Sequence, residues 1–323
     1  MNEYNFQLVL SFFSKLQNKI CDTLIQVDNH SVFKKDIWSK KNCQGDTRIL
    51  KNGKIFEKAS VSTSDISGNS LPNTSTNKNK NFLNCLYRAT GISVIVHPKN
   101  PYIPTSHLNL RFFLVYDSQN LLKWWFGGGG FDLTPYYGFT EDVVHWHQTA
   151  EQICRPFGVD LYKKYKKWCD DYFFIKHRNE PRGIGGLFFD DVNKPNFHHV
   201  FSFTKSVGDG YIKAYLPIVN LRKSYTWSKR ERDFQLYRRS RYVEFNLLLD
   251  RGTIFGIQSQ GRIESILSSM PPIVKWKYNW KPRPKSQENT GNLELIAKYS
   301  PKDVTTNPSL ICKEARACAE ARV

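Results

Sequence analysis

The chain has 323 residues, of which 14% are aromatic, and it carries a formal net charge of +18 at pH 7. A chain of this length buries one large core or two modest ones, and no apolar run approaches the roughly 20 residues that would span a bilayer. The basic residues are spread along the whole chain without a nucleic-acid module, so the charge favours solvated surface or a small acidic ligand over a nucleic acid.

The first twenty residues predict a helix that packs on the body of the protein. Apolar side chains recur there at helical spacing, namely Phe6, Leu10, Phe13, Leu16 and Ile20. An acidic residue stands where a signal peptide carries a basic one, and no small-residue cleavage site follows. The seven cysteines are scattered without a C-x-x-C pair, which is typical of reduced thiols. We therefore expect a cytoplasmic protein.

The domain organisation follows from composition. Residues 60–80 are rich in Ser, Asn and Thr and predict a polar loop. Beyond residue 280 the apolar pattern loosens. We predict one domain over residues 1–280 and a divergent tail over residues 281–323.

Apolar patterns predict strands and helices in mixed order. Strands are expected at 93–97 and 108–116, and helices at 140–154, with Thr140 as N-cap, and at 161–175. Two further strands, 242–249 and 253–258, would form a hairpin around the turn Asp250-Arg251-Gly252. Because no regular βαβ rhythm is present, the predicted fold class is α+β.

Three polar residues, His107, Asn109 and Arg111, alternate along the strand that follows Pro104. Side chains alternate between the faces of a strand, so all three lie on one side, opposite a row of leucines and phenylalanine. Together they offer acid–base chemistry, an amide and a bidentate clamp for carboxylates. The alternative is an ordinary solvent-facing strand, but Phe113 and Val115 continue the same face and favour burial.

Histidines from four elements are candidate metal ligands: His97, His107, His147 and His177. Helical spacing directs His147 inward and His145 outward, and places His177 in line with Asp170. A core histidine and a histidine at a helix C-terminus are the ordinary alternatives. The spacing matches neither an H-E-x-x-H motif nor a facial triad, so it leaves both a divalent metal and these structural roles open.

Four consecutive glycines, residues 127–130, follow Trp124, Trp125 and Phe126. No Lys-Ser/Thr pair and no helix follow them, so they form neither a phosphate loop nor a dinucleotide fingerprint, and the same holds for RGIGGLFFDD at 182–191. We expect no nucleotide or flavin. Glycines beside aromatic residues let the backbone approach a bulky planar ligand, and Asp132 is expected to emerge from this loop as a buried carboxylate.

Four long stretches resemble the oxygen-dependent coproporphyrinogen-III oxidases: WWFGGGGFDLTPYY at 124–137, and residues 165–191, 237–258 and 261–272. The resemblance is strong from about residue 91 to 276, weak before residue 45 and absent in the tail. It implies oxidative decarboxylation of two propionates of coproporphyrinogen III to vinyls, giving protoporphyrinogen IX for haem synthesis. It also implies O₂ as co-substrate, and a homodimer with contacts around residues 242–277, each subunit having a large antiparallel sheet between helical layers.

Residue by residue, the resemblance implies specific roles. Substrate contacts are implied at Ser93, Asn109, Leu110, Arg111, Gln260, Gly261 and Arg262. The proton donor is implied at His107, and metal ligands at His97, His107, His147 and His177. Because the tetrapyrrole can itself donate electrons to oxygen, the need for a divalent metal, and its identity, stay open.

The residues fit this chemistry. Arg111 and Arg262 suit a substrate with four carboxylates, and an ionised Asp132 is expected to accept hydrogen bonds from pyrrole N–H groups. Four departures bear on activity. Four glycines stand where three are usual, which could shift Asp132, and Gln260 stands where bacterial relatives usually carry glycine. The glycine-rich stretch expected near residues 41–46 reads KKNCQGD, and the tail from residue 281 does not resemble the family's ending. The alternative is a non-catalytic tetrapyrrole-binding relative, against which the intact site residues argue.

Overall fold

The computed structural model describes residues 3–40, 43–69 and 85–280. The predicted tail, 281–323, and residues 70–80 of the predicted polar loop lie outside these residues. No helix in the described part of the chain combines the length and the hydrophobicity needed to cross a bilayer.

Helices and strands follow one another in mixed order. The described residues form the α-helices α1 (Glu3–Asp28), α2 (Thr140–Cys154), α3 (Leu161–Tyr172), α4 (Phe197–Arg222), α5 (Lys229–Leu248), α6 (Arg251–Gln258) and α7 (Ile263–Ile266). The strands are β1 (Lys34–Lys40), β2 (Cys43–Lys51), β3 (Phe56–Gly68), β4 (Leu86–Pro98), β5 (Thr105–Tyr116), β6 (Leu122–Thr134), β7 (Phe174–Ile175), β8 (Glu180–Pro181) and β9 (Gly185–Val192). Short 3₁₀ helices lie at Arg155–Phe157 and Leu267–Ser269.

A seven-stranded antiparallel sheet forms the centre, in the order β1-β2-β3-β4-β5-β6-β9. Helices cover both of its faces, which confirms the predicted α+β class. On one face α1, α2 and α4 bury a continuous core with side chains such as Leu108, Leu110 and Phe112. Burial of each such side chain contributes about 1.5–3 kcal/mol. The N-terminal helix is confirmed, since Phe6 and Phe13 lie in the core.

The opposite face of the sheet, which we call the polar face, carries the side chains of Ser93, Asn109 and their neighbours in register. The segment from α5 to the 3₁₀ helix Leu267–Ser269 lies over it. Ser60 and Thr47 of the sheet hydrogen-bond to Ser268 and Ser265 of this segment, at 2.7 Å and 2.8 Å. This cover is therefore attached in part through hydroxyl groups.

The glycine run lies within strand β6, so the predicted loop is wrong. Gly129 and Gly130 have φ angles of +147° and +146°. A Cβ atom would lie 2.1 Å from the carbonyl oxygen of Asn109 at Gly129, and 1.8 Å from that of Leu187 at Gly130. The glycines therefore let β6 fit between β5 and β9. Asp132 pairs directly with His107 in the register of β5 and β6, and a displacement caused by the fourth glycine stays a prediction.

The hairpin predicted for residues 242–258 is wrong, because these residues form parts of α5 and α6. Ser228 begins α5 with a capping box that includes Glu231. The Asp250-Arg251-Gly252 stretch is a helix start, in which the Asp250 carboxylate accepts a hydrogen bond from the backbone N–H of Thr253 at 2.7 Å. Aromatic and β-branched residues favour strands only weakly, and these capping signals outweigh them here.

Three smaller predictions also need correction. Residues 60–68, assigned to the polar loop, continue β3, where β-branched residues alternate with serines. Phe139, and not Thr140, occupies the N-cap position of α2. The helix predicted for 161–175 ends at Tyr172, because Phe174–Ile175 pairs with Glu180–Pro181 instead.

Candidate active site

The polar face has a floor of small residues across its centre. In register from β2 to β6, one row contains Gly45, Ser64, Gly91, Arg111 and Gly128. The adjacent row contains Thr47, Ser62, Ser93, Asn109 and Gly130. Apart from Arg111, no large side chain stands on this floor, so it leaves room for a broad ligand.

An aromatic row borders the floor on one side. Phe113 stacks on Tyr87 and on Phe126, with ring centroids 5.5 Å and 5.3 Å apart. Phe255 of α6 packs against Tyr87 and Phe113. The prediction that Phe113 and Val115 favour burial is confirmed, since both are buried. The floor is therefore a polar trough with an apolar wall, a combination that suits an amphipathic ring system.

His107 and Asp132 lie side by side at the other border of the floor. Nδ1 of His107 lies 2.9 Å from Oδ1 of Asp132. Nη2 of Arg182 donates to both oxygens of Asp132, at 2.9 Å and 2.8 Å. Asp132 and Arg182 are almost fully buried, whereas the His107 side chain is 22% exposed. The histidine is thus the member of this chain of contacts that a ligand can reach.

The charge state of Asp132 follows from its partners. Burial alone would raise the pKa of its carboxyl group, but the charge of Arg182 and the hydrogen bond from His107 outweigh burial and hold that pKa below its ordinary value. An ionised carboxylate accepts hydrogen bonds, so Nδ1 of His107 carries a proton and Nε2 is the remaining site for proton exchange. Oδ1 of Asp132 has two partners and Oδ2 has one, so Oδ2 keeps a free acceptor position and the expected contact with pyrrole N–H groups stays a prediction.

Arg111 lies at the end of the floor beside β9. Its Nη2 lies 2.8 Å from Oδ1 of Asp190, and Nη2 of Arg251 lies 3.3 Å from Oδ2 of the same carboxylate. The charge of Arg111 holds the pKa of Asp190 below its ordinary value against the opposing effect of burial. Two guanidinium groups share the Asp190 carboxylate here, and the carboxylate of Asp250 also interacts with Arg111. A Cβ atom at Gly128 would lie 2.8 Å from the Asp190 carboxylate, so glycine makes room for the pair.

The remaining predicted substrate contacts fall into two groups. Ser93 and Asn109 face the trough, and the buried Oδ1 of Asn109 has no hydrogen-bond partner within the described residues. Leu110 faces the opposite way into the core, because side chains alternate along β5, so its side chain does not meet a ligand.

Arg262, at the start of α7, lies over the polar face near β1, where its Nη1 donates to Asp36 at 2.5 Å. Arg111 and Arg262 therefore lie on the same side of the sheet. Arg111 is on β5 and Arg262 lies over β1, and these two strands are about 19 Å apart across the sheet. By contrast, a cavity of about 600 Å³ between the C-terminal ends of α1 and α4 includes none of the predicted site residues.

Comparison with known proteins gives a consistent result. The chain matches the family described as coproporphyrinogen III oxidase over residues 8–299. A relative from Wigglesworthia glossinidia brevipalpis, named oxygen-dependent coproporphyrinogen-III oxidase, is 66% identical over 280 residues, which cover 87% of this chain and 92% of the relative. The chain belongs to the coproporphyrinogen III oxidase family. The match extends beyond the motif-rich region 91–276 at both ends.

The four histidines that the family resemblance marks as metal ligands lie apart. His97, under α5, and His147, on α2, have Nε2 within hydrogen-bond distance of the backbone carbonyls of Ser269 and Ile184, at 2.8 Å and 3.1 Å. His177 contacts Glu244 at 2.9 Å, and not Asp170 as predicted. Within the described residues no three His, Cys, Asp or Glu side chains form a group that could hold a metal ion. These residues do not fit a shared metal site.

Burial determines the charge state of the two inner histidines, His97 and His147. It lowers the pKa of His97 and of His147 well below the usual value, so both are neutral at pH 7. The inward orientation predicted for His147 is confirmed. Both histidines anchor backbone: His97 contacts the segment that covers the sheet, and His147 contacts the residue before β9.

Gln260 is accounted for by helix-end geometry. It lies just beyond α6 with φ +55°, where the N–H groups of Gln260 and Gly261 donate to Ile257 and Gly256, at 3.1 Å and 2.8 Å. This is the Schellman arrangement, in which the left-handed residue is usually glycine. Glutamine there costs about 1–2 kcal/mol of backbone strain. A glycine at this position would avoid that strain.

Sequence reasoning missed Arg182, Asn246 and Asp190. Nη1 of Arg182 donates to the side-chain oxygen of Asn246 at 2.8 Å, and Asp190 pairs with Arg111. The glycines of 182–191 suggested a comparison with a phosphate loop, which gives no position for Asp190. Its alternation as a strand would have placed Asp190 on the same face as Asp132.

We expect Asp132→Asn to lower the free energy of unfolding by about 3–5 kcal/mol at pH 7, because it leaves the Arg182 charge buried and unpaired. The control is Asp171→Asn, which breaks the exposed Lys167–Asp171 pair and should change stability by less than about 0.5 kcal/mol. Urea unfolding followed by tryptophan fluorescence measures both.

The contribution of Asp132 to the free energy of unfolding depends on pH with a defined sign. The pKa of Asp132 is lowered in the folded protein, so its contribution is complete above its unfolded pKa of about 4 and is lost as the pH falls through the lower folded pKa. The difference between wild type and Asp132→Asn should therefore shrink below about pH 4. An equal loss for the Asp132 and Asp171 variants at pH 7 would contradict the buried ion pair.

Proposed function

We propose that this chain catalyses the oxidative decarboxylation of the two reactive propionates of coproporphyrinogen III, giving protoporphyrinogen IX for haem synthesis with O₂ as oxidant. The observation that carries the proposal is the His107–Asp132 pair, which lies beside Arg111 on the polar face of a chain that belongs to this family. The close relative carries the name of this activity.

Each decarboxylation balances with one O₂. The propionate carbon attached to the pyrrole gives up a hydrogen with its electron pair to O₂, which forms hydroperoxide. The bond to the carboxylate then breaks, its electron pair forms the vinyl double bond, and CO₂ leaves. One proton converts hydroperoxide to H₂O₂. Two such rounds consume two O₂ and release two CO₂ and two H₂O₂.

The residues divide this work. Arg111 binds a carboxylate with the bidentate geometry that guanidinium favours. Nε2 of His107 donates the proton that completes H₂O₂, and the Asp132 carboxylate at Nδ1 stabilises the protonated imidazole. Asp132 thus acts through His107, and Arg182 holds it in place.

We expect His107→Asn to lower kcat by about 10²–10⁴-fold and to leave KM nearly unchanged, because it removes the proton donor but not the carboxylate clamp. The assay follows porphyrin fluorescence after chemical oxidation of the product, in air and under anoxia. The matched control is His145→Asn, since the side chain of His145 lies on α2 away from the polar face, where its Nε2 lies 3.2 Å from the backbone carbonyl oxygen of Lys213. Substrate binding without oxygen-dependent turnover by the wild type would instead favour the non-catalytic relative.

Because the four histidines do not fit a shared site, we expect dialysis against EDTA to leave kcat unchanged and elemental analysis to find less than one metal ion per chain. Stoichiometric metal, with activity lost on chelation and restored by that metal, would contradict this expectation.

We further propose a homodimer with contacts around residues 242–277. Large apolar side chains in this region are exposed, among them Leu247, Leu248, Ile257, Ile263, Leu267, Ile273 and Trp276. A concentration of such side chains is typical of interfaces.

We propose that the protein is located in the cytoplasm. Free thiols, which a reducing compartment maintains, are present at Cys21, Cys43, Cys85, Cys154 and Cys169.

We expect Leu248→Glu to shift the protein from dimer to monomer at micromolar concentration, because it places a charge in the apolar contact. Light scattering after size-exclusion chromatography measures the mass. Val159→Glu makes the same change at a more exposed site outside this region and should leave the mass unchanged. Monomeric wild type, or equal masses for both variants and the wild type, would contradict the assigned interface.

A further inference from the structure

The edge strand β1 reaches the polar face through Asp36 and Trp38. In register these residues pair with Thr47 and Gly45, so they extend the two rows of the floor by one strand. Asp36 accepts the hydrogen bond from Nη1 of Arg262 at 2.5 Å.

Trp38 makes a fixed platform beside this pair. A Cβ atom at Gly45 would lie 2.5 Å from the Trp38 ring, so the indole lies directly against the backbone of β2. The indole Nε1 donates to Oγ1 of Thr47 at 3.1 Å, and this hydroxyl contacts Ser265 of α7 at 2.8 Å. The centre of the Arg262 guanidinium lies 5.9 Å from the Trp38 ring. One network therefore joins β1, β2 and α7 around Arg262.

The donors of Arg262 are only partly used. Nη1 binds Asp36, and Nε lies 3.6 Å from the exposed carboxylate of Glu264. Within the described residues Nη2 forms no hydrogen bond. A guanidinium has five N–H donors, so Arg262 can bind a second carboxylate while Asp36 stays in place.

The Asp36–Arg262 pair contributes little to folding. The side chain of Asp36 is 46% exposed, and exposed ion pairs have small effects on stability because water and salt screen them. Its effect on Arg262 is different. Arginine is long and flexible, and a second contact fixes the direction in which its free donors point.

We propose that Asp36 is a positioning residue for substrate binding: it holds Arg262 over Trp38 so that Nη2 faces the trough and binds a propionate on the far side of the ring from His107. This inference rests on the proposed function. It also explains why an exposed acid lies at a site for an acidic substrate, where its negative charge would otherwise oppose binding.

The test compares Asp36→Ala, Asp36→Glu and a matched control. We expect Asp36→Ala to raise KM about tenfold with kcat unchanged, because Arg262 loses its fixed orientation. Asp36→Glu should recover most of this loss. The control is Lys35→Ala. It removes an exposed lysine of the same strand, 3.7 Å from Asp46 of β2, and should leave KM unchanged. The midpoint of urea unfolding should be the same for all four proteins.

If Asp36 had only a structural role, the effect of replacing it would not depend on the presence of Arg262. In an Arg262→Ala background, Asp36→Ala should cause no further rise in KM, because Asp36 acts only through Arg262. The Kd for coproporphyrin III, the oxidised and unreactive ring, measured by fluorescence, should change by the same factor as KM.

Three outcomes would overturn the inference: KM and Kd within twofold of wild type in Asp36→Ala, a fall in KM, or an equal rise with and without Arg262. Failure of the proposed function looks different. In that case wild type forms no product, and the Kd measurement still tests whether Asp36 positions Arg262.

Discussion

The buried ion pair between Arg182 and Asp132 determines the arrangement of the site. Removing two charges from water is expensive, and their attraction offsets this cost only when the geometry is good and other contacts assist. Here the guanidinium lies over the rings of Phe173, Tyr242 and Phe245, with its centre 4.0–4.9 Å from the ring centroids. Elements from β6 to α5 meet at this one contact, and the orientation of His107 depends on it.

Glycine residues of the same sheet have a steric role in the site. At Gly128, Gly130 and Gly45 the missing side chain is replaced by something that the site needs: the Asp190 carboxylate, the backbone of β9 and the Trp38 ring. Each substitution by a larger residue would displace a functional group and not only strain the backbone. The composition of the sheet thus reflects the shape of the trough as much as the propensity for strands.

Local patterns in the sequence predict part of this arrangement. Alternation along β5 is enough to place His107, Asn109 and Arg111 on one face, because the period of a strand is fixed by its backbone. The same pattern gives no information on which carboxylate meets Arg111, since Asp190 lies about eighty residues away and pairs with it only through the sheet register. The histidines show the limit most clearly: their chemistry suits a metal, but their positions depend on four separate elements.

The wrong prediction of strands at residues 242–258 has a related cause. The residues of α5 include many that favour strands, and their burial against the polar face comes from tertiary packing. Ser228 and Asp250 carried the correct signal as capping residues, but the turn-like Asp-Arg-Gly stretch supported a hairpin equally well. Only the position of the segment over the sheet distinguishes these two interpretations.

The separation of Arg111 from Arg262 has a consequence for the reaction cycle. In the proposed reaction the ring enters with four negative charges and leaves with two, so electrostatic attraction to the two ends of the trough weakens at each round. An intermediate that has lost one charge is still held by the remaining contacts, whereas the finished product has fewer groups for the guanidiniums to retain. In this proposal the charge pattern that attracts the starting ring also favours departure of the final one.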